Sequence, residues 1–308
     1  MPVKIAVIGS FVTDFVFKTP RRPAKGETIV GTGFELAMGG KGANQAVMAA
    51  LMGAEVSMIG RVGCDTFGDM QLDNMRRAGV NIDYVLRDPR EGTGCSGIIV
   101  DETGDNSIVF VPRANRAVNR TDVDKALPAI KAADILLVQL ELPFKVNGYA
   151  IRKGKALGKR VILDPAPACP LEDYFYTNTD IMTPNETEAS ILSGIPVKNL
   201  TSAEKAARAI AAKGCPTVII TLGGKGALLW HEGDSLHFPP VEVRPVDTTA
   251  AGDAFTGSLA VFLGQGQPIE EAVRLANIAG AMAATRFGAQ PSLPSLKDFN
   301  AFIKRLSL

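Results

Sequence analysis

The apolar positions change period several times along the chain, and those changes mark its elements. Val3–Ile8 is a short, largely apolar run that stops at Gly9, which predicts a buried strand. From Gly42 the spacing becomes helical through Ala46, Val47, Ala49, Ala50 and Leu51, and Gly53 supplies the stop. Val56–Ile59 predicts a second strand, and Asp65 caps a predicted helix that runs through Met75 and ends near Gly79. After residue 120 the two periods alternate. Strands are predicted at Ile135–Leu140, Val161–Asp164, Asp180–Thr183 and Thr217–Thr221, with helices between them at about 144–157, 186–193 and 202–213. This βαβ order implies a mainly parallel sheet with helices on both faces. Gly252–Leu263 predicts a further helix. Pro268, at a first helical position ahead of Glu270 and Glu271, opens another that is apolar nearly all round to about Ala284 and so should be buried.

Two stretches interrupt this order. Residues 11–37 are rich in Thr, Pro, Gly and aromatics, with short β-like pieces such as Glu27–Gly31. Cys95–Val100 and Ser107–Val111 are β-rich runs flanking Asp101-Glu102-Thr103-Gly104-Asp105, a hairpin turn. A second hairpin joins Ala227–His231 to Ser235–Phe238 through Gly233-Asp234. The expected organisation is one α/β domain over residues 1–308, with β insertions at about 11–38 and 94–112. Those insertions form a lid or extend the sheet edge; composition does not choose between the two.

Composition narrows the class. At 308 residues, with 46% hydrophobic and 21% charged, the chain can bury a sizeable core and reads as soluble and globular. A net charge of +1 with no basic stripe argues against a nucleic-acid partner. Cys64, Cys95, Cys169 and Cys215 form no CxxC, and His231 and His237 are the only histidines, so a zinc site is not expected and reduced thiols of a cytoplasmic protein are. The amino terminus lacks a signal-peptide pattern, and no apolar run approaches the roughly 20 residues of a membrane span. The sequons at Asn119, Asn185 and Asn199 are therefore read as chance matches.

No Walker loop occurs, and the G-x-G-x-x-G at Gly92–Gly97 runs into the β-rich Cys95–Val100 rather than opening a helix, which disfavours a P-loop NTPase and a dinucleotide-dependent dehydrogenase. Three other segments could handle an anion. In Val246–Phe255, a strand-like approach through Val241, Val243 and Val246 meets small residues and a helix start. The free N–H groups of that start make an anion site, and Asp253 in the first turn, beside it, could take a proton from a hydroxyl. An Asp there also serves simply to complement the helix dipole. In Gly39–Gln45, glycines, Lys41 and Asn44 open a helix. In Thr183–Glu188, a turn lies at the carboxyl end of a strand, where open α/β sheets bind ligands. Asn185 or Glu186 could cap the helix there, and Glu188 could order the waters of Mg²⁺.

Together these segments resemble the ribokinase-type (PfkB-type) carbohydrate kinases. Gly39–Gln45 looks like the family's amino-terminal signature and Asp247–Asp253, DTTAAGD, like its carboxyl-terminal one. PNETE at 184–188 resembles the NxxE motif, and Gly9-Ser10 with Asp14 the first sugar-contact turn. Thr221–Gly226 resembles the nucleotide loop, and Gly288–Ser292 the final loop. The motifs keep family order from residue 9 to 292, and with Glu141 and DPAPA at 164–168 they look most like the ribokinase branch.

The resemblance implies a three-layer α/β/α core with a β lid, often paired into a homodimer through the lids. It implies phosphoryl transfer from ATP to the primary hydroxyl of a pentose, ribose foremost, with 2-deoxyribose, another pentose or a ketohexose as alternatives. A non-catalytic sugar-binding regulator is the alternative of another class. Asp253 is then the base, with an anion hole at the Ala250–Asp253 backbone. The sugar is held by Asp14, Gly40, Lys41, Asn44 and Glu141, and the nucleotide by Asn185, Thr221, Gly223, Gly224, Gly226 and Asn277. Mg²⁺ is held through water by Glu188, and K⁺ lies near Asp247, Thr249, Ala283, Arg286, Gly288 and Ser292. One position departs: Val12 stands where ribokinases usually carry Asn in Gly-Ser-x-Asn-x-Asp.

Overall fold

The computed structural model describes residues 2–103 and 105–306. In chain order its strands are β1 (Lys4–Ile8), β2 (Val12–Lys18), β3 (Gly33–Gly39), β4 (Glu55–Gly63), β5 (Asn81–Asp88), β6 (Cys95–Val100), β7 (Asn106–Val111), β8 (Ile135–Gln139), β9 (Arg160–Asp164), β10 (Ile181–Met182), β11 (Thr217–Thr221), β12 (Ala227–His231) and β13 (Asp234–Phe238). The helices are α1 (Lys41–Leu51), α2 (Thr66–Arg77), α3 (Arg120–Lys125), α4 (Leu127–Ala132), α5 (Phe144–Ala156), α6 (Asp173–Thr177), α7 (Glu186–Ser193), α8 (Leu200–Ala211), α9 (Ala251–Gly264), α10 (Ile269–Ala283) and α11 (Leu296–Arg305).

Nine strands form one sheet in the order β13-β12-β11-β10-β9-β8-β1-β4-β5, parallel except for the antiparallel hairpin β12–β13 at one edge. All five residues of β8 are buried, because helices cover both faces. Alternate residues of a strand serve opposite layers. Ile5 and Val7 pack with Met48, Leu259 and Ala279 on the side of α1, α9 and α10. Ala6 and Ile8 pack with Val138, Ile151 and Ala207 on the side of α5 and α8. The result is a three-layer α/β/α core. As its apolar circumference predicts, α10 is buried along most of its length.

A separate four-stranded sheet, β3-β2-β6-β7, draws its strands from the two stretches that interrupt the βαβ order. Exposed apolar side chains on it include Phe17, Phe34, Ile108 and Val109. The predicted turn between β6 and β7 includes Gly104, which lies outside the described residues.

Several sequence-based expectations are corrected. Glu27–Gly31 is not a strand, since Pro20, Pro23 and Gly26 precede it and Val30 points into solvent at 88% exposure. The approach through Val241 to Val246 is unpaired chain: Pro239 and Pro240 remove donors, and the Val246 and Asp247 N–H groups both reach Ala284 O. β5 is not among the strands the pattern predicts because, at the edge, it is only partly buried and its apolar alternation is weak. The Asp180–Thr183 strand shortens to two residues, and Pro268 sits at the N-cap of α10, one position before the helix. The three sequon asparagines, Asn119, Asn185 and Asn199, are all helix N-caps whose side chains accept first-turn N–H groups.

Candidate active site

Sheet topology fixes where a ligand can bind. From β1 the chain passes to β4 and β5 on one side, then returns through β8 to the other side of β1. The strand order therefore reverses between β1 and β8, and in open α/β sheets such a reversal forms the ligand crevice beyond the carboxyl ends of the strands. The start of α1 is pressed onto that crevice. A Cβ on Gly42 would stand 2.5 Å from Gly9 Cα, so both positions need glycine for the backbones to cross. Gly40 adopts φ 96 to turn the chain into α1.

Around the crevice the side chains form a bonded shell. Asn44 Nδ2 donates to Asp253 Oδ2 at 2.8 Å, and Gln45 Nε2 donates to Asp253 Oδ1 at 3.0 Å and to Asp164 Oδ2 at 2.7 Å. Gln139 Nε2 in turn donates to Gln45 Oε1 at 2.6 Å. Glu141 Oε2 accepts the Lys41 backbone N–H at 2.9 Å and the Ser10 hydroxyl. Asp14 Oδ1 accepts the Ser96 hydroxyl. Asp253 is buried in the first turn of α9. That turn begins at Ala250, which takes a left-handed conformation (φ 61) that costs a non-glycine residue roughly 1 kcal/mol. The Ala251 N–H donates to Thr248 O at 3.2 Å.

One cation serves this shell. Burial disfavours the charge on Lys41, but Asp164, Asp253, Glu141 and Glu188 together outweigh it and raise its pKa. Among the described residues Lys41 closes no ion pair within 4 Å, so its ammonium is shared by the set rather than neutralised by one member. Desolvation raises Asp164 well above the ordinary carboxylate range despite Lys41, and raises Glu141 and Glu188 as well. Burial pushes Asp14 up to about 6, against the Ser96 hydrogen bond and with help from Glu141.

The segments singled out at 183–188 and 221–226 lie side by side. Thr221 N donates to Pro184 O at 3.0 Å and Thr221 bridges Asn185, while Lys225 pairs with Glu186. Gly223 and Gly224 have open space where a side chain would stand. Gly226 packs on Pro239, whose carbonyl accepts from Asn277 Nδ2 at 2.9 Å, so Asn277 borders the same loop. Asn185 and Glu188 form a reciprocal capping box, in which Asn185 Oδ1 accepts from Glu188 N and Glu188 Oε2 from Asn185 N. Thr183 Oγ1 lies 3.0 Å from Thr256 Oγ1, which joins this region to α9. Asp247 closes another loop, accepting from Thr249 through Oδ1 and from Gly288 N through Oδ2. Ala283 O accepts the Arg286 N–H, Ser292 Oγ turns to Ala289 O, and the Arg286 guanidinium faces Asp298 at 3.7 Å.

Gln139 and Ser96 are not marked by any family motif in the sequence, and Ser10 and Gln45 appear there only as members of motifs with no role of their own. Gln45 ends a motif already in view, but nothing in the sequence says that its amide faces two carboxylates from distant elements.

A buried carboxylate beside a helix N-terminus, ringed by amides and open glycine loops at a topological switch, suits a phosphotransferase acting on a hydroxyl group. The profile of the pfkB family carbohydrate kinases matches residues 3–296, and the chain belongs to that family. It is 38% identical over 300 residues to a deoxyribokinase of Salmonella typhi, covering 97% of this chain and 98% of that one. A ribokinase of Haemophilus influenzae is likewise 38% identical over 300 residues, again covering 97% and 98%. Among solved structures, the ribokinase of Arabidopsis thaliana complexed with ribose and ATP superimposes with a TM-score of 0.92 at 32% identity, covering 99% of both chains. Among the described residues no helix is long and apolar enough to cross a membrane.

Proposed function

We propose that the chain transfers the γ-phosphoryl group of ATP to the primary hydroxyl of a pentose, ribose foremost, with Asp253 as the base. The observation that carries this reading is the pair Asn44–Asp253. Asp253 is buried at a helix N-terminus, and Asn44, which donates to it, leaves its own Oδ1 buried with no partner. A sugar hydroxyl would satisfy Asn44 Oδ1 while a neighbouring hydroxyl meets Asp253. Asp14, Gly40, Lys41 and Glu141 complete the sugar site. Support comes from their convergence at one crevice and from the ribose- and ATP-bound relative of 32% identity.

The nucleotide then lies along Asn185, Thr221, Gly223, Gly224, Gly226 and Asn277, with its phosphates directed to the start of α9. Charge developing on the transferred group meets the backbone of Ala250–Asp253. Gly252 and Asp253 carry most of this, because Ala251 N–H is engaged by Thr248. Phosphoryl transfer asks the protein mainly for positioning and charge stabilisation, which these groups supply.

Two ions fit the residues present. Among the described residues no three of His, Cys, Asp and Glu converge on a metal position, which suits Mg²⁺ held mostly by phosphates and water with Glu188 ordering the water shell. Bound there, Mg²⁺ would neutralise phosphate charge. K⁺ suits Asp247, whose carboxylate meets no basic side chain within 4 Å among the described residues, with Thr249, Ala283, Arg286, Gly288 and Ser292 around it, several through carbonyls.

Residues 1–308 act as one domain, and the small sheet serves as a lid that excludes water, which would otherwise accept the phosphoryl group. Its exposed Phe17, Phe34, Ile108 and Val109 support homodimerisation through the lids, and four free cysteines support a cytoplasmic setting. A second reading of the sugar, 2-deoxyribose, is favoured by Val12 and by the similarity to a deoxyribokinase. A coupled ADP-release assay over a panel of pentoses and ketohexoses tests both. Turnover of a pentose supports the proposal, and turnover of none of the sugars overturns it.

A further inference from the structure

We propose that Gln45 is a positioning residue for Asp253, and that it works because Gln139 fixes the direction of its amide; this rests on the reading of Asp253 as the base. Gln45 and Gln139 are fully buried, at 0% exposure, and join four elements: α1 through Gln45, β8 through Gln139, β9 through Asp164 and α9 through Asp253. Their polarity is dictated by chemistry. An ionised Asp253 can only accept, so the side of Gln45 facing it must be the NH₂ group. One N–H goes to Asp253 Oδ1 and the other to Asp164 Oδ2. Gln45 Oε1 therefore faces Gln139, which must present its own NH₂. The chain of donors ends at Gln139 Oε1, which is buried without a partner beside Gly9.

A buried orphan carbonyl is costly, and a flipped Gln139 would escape none of that cost without losing the bond to Gln45. The arrangement thus trades a satisfied carbonyl at Gln139 for a fixed donor at Asp253. Helix packing holds Gln45 in place from the other side: a Cβ on Gly257 of α9 would stand 2.8 Å from Gln45 O, so α1 and α9 touch at that point. With Gln45 on Oδ1 and Asn44 on Oδ2, the plane of the Asp253 carboxylate is set from both sides. Asn44 borders the sugar, whereas Gln45 does its work from behind the base, away from substrate. Lys41, Asp164, Glu141 and Glu188 also act on this region; Gln45→Met keeps all four, but removes the donor to Asp164 Oδ2 along with the donor to Asp253, whereas Gln139→Met keeps both donors on Gln45.

The test compares wild type, Gln45→Met and Gln139→Met in steady-state kinetics over pH, with Asp253→Asn as the reference. Gln45→Met keeps the side chain's length and removes the donor. Its kcat is expected to fall roughly 10- to 100-fold with sugar and ATP KM changed less than about threefold. The acidic limb of the kcat profile at saturating sugar, where the effect of Asp14 on sugar KM drops out, should also move to higher pH, because a carboxylate that loses a hydrogen-bond donor protonates more readily. Gln139→Met should show the same shift with a smaller loss of kcat, and it decides the matter alone if Gln45→Met does not fold. An unmoved acidic limb together with kcat near wild type in the folded variants overturns the inference. Absence of sugar phosphorylation by the wild type, or full activity of Asp253→Asn, overturns instead the reading on which it rests.

Discussion

Position 12 offers the sharpest test of which sugar this site takes. Val12 opens β2, is 4% exposed, and lies two residues before Asp14, so both side chains project from the same face of the strand. Val12 pairs with Gly39, and a Cβ at Gly39 would stand 2.4 Å from Asp14 Oδ2, so the Asp14 carboxylate leans toward the residue opposite Val12. A sugar hydroxyl bound by Asp14 is therefore close to the Val12 methyls. A second hydroxyl turned to those methyls loses water and gains no partner, at about 1–3 kcal/mol. That corresponds to roughly 5- to 150-fold in kcat/KM. A pentose with hydrogen at that carbon escapes the penalty. Val12→Asn restores a donor and an acceptor at nearly the same volume. The prediction is that it shifts the ratio of kcat/KM for ribose over 2-deoxyribose toward ribose by about tenfold or more. Both sugars are measured with wild type and variant by ADP release at fixed ATP and Mg²⁺. If the ratio is the same in both proteins, Val12 does not read the sugar and this reasoning is wrong.

Other outcomes are expected. Asp253→Asn should lower kcat by roughly 10²- to 10⁴-fold with sugar and ATP binding largely retained, measured by turnover and calorimetry; near-wild-type turnover would rule Asp253 out as the base. Activity should rise on adding K⁺ over tetramethylammonium at matched ionic strength, and Asp247→Asn should blunt the rise; equal turnover in both salts refutes the cation site. Asp14, pushed up to about 6 from 3.8, should accept sugar hydroxyls well only above that pH, so the sugar KM is expected to climb several-fold between pH 7 and 5. Its effect on stability has the opposite sense. The folded state binds the Asp14 proton more tightly than the unfolded state, so this contribution is fully present below 3.8 and lost as pH rises through about 6. Asp14→Asn should flatten that part of the Tm-against-pH curve, and an unchanged curve counts against the shift.

Much of this molecule is legible in the chain alone. Period and punctuation along 135–221 and 252–284 give parallel strands and their helices, because strands buried on both faces must be apolar throughout and helices need caps and stops at their ends. The glycine-rich start of α1, the turn into α7 and the small-residue start of α9 are each visible as places where backbone can meet an anion. Edge material is less legible. β5 and the 19–32 segment were misjudged because partial burial leaves little apolar alternation to read, and the valines at 241–246 imitate a strand that has no neighbour to pair with.

Only tertiary structure decided how the site is wired. Asn44 and Gln45 are separated from Asp253 by 209 and 208 residues, and Glu141 from Ser10 by 131, so no local pattern can announce those bonds. The sequence determined which groups were present and which ends of which elements carried them. The strand reversal between β1 and β8 brought them to one crevice, and burial there set their charges. Desolvation and hydrogen bonding depend on everything packed around a group, and that packing exists only in the folded chain.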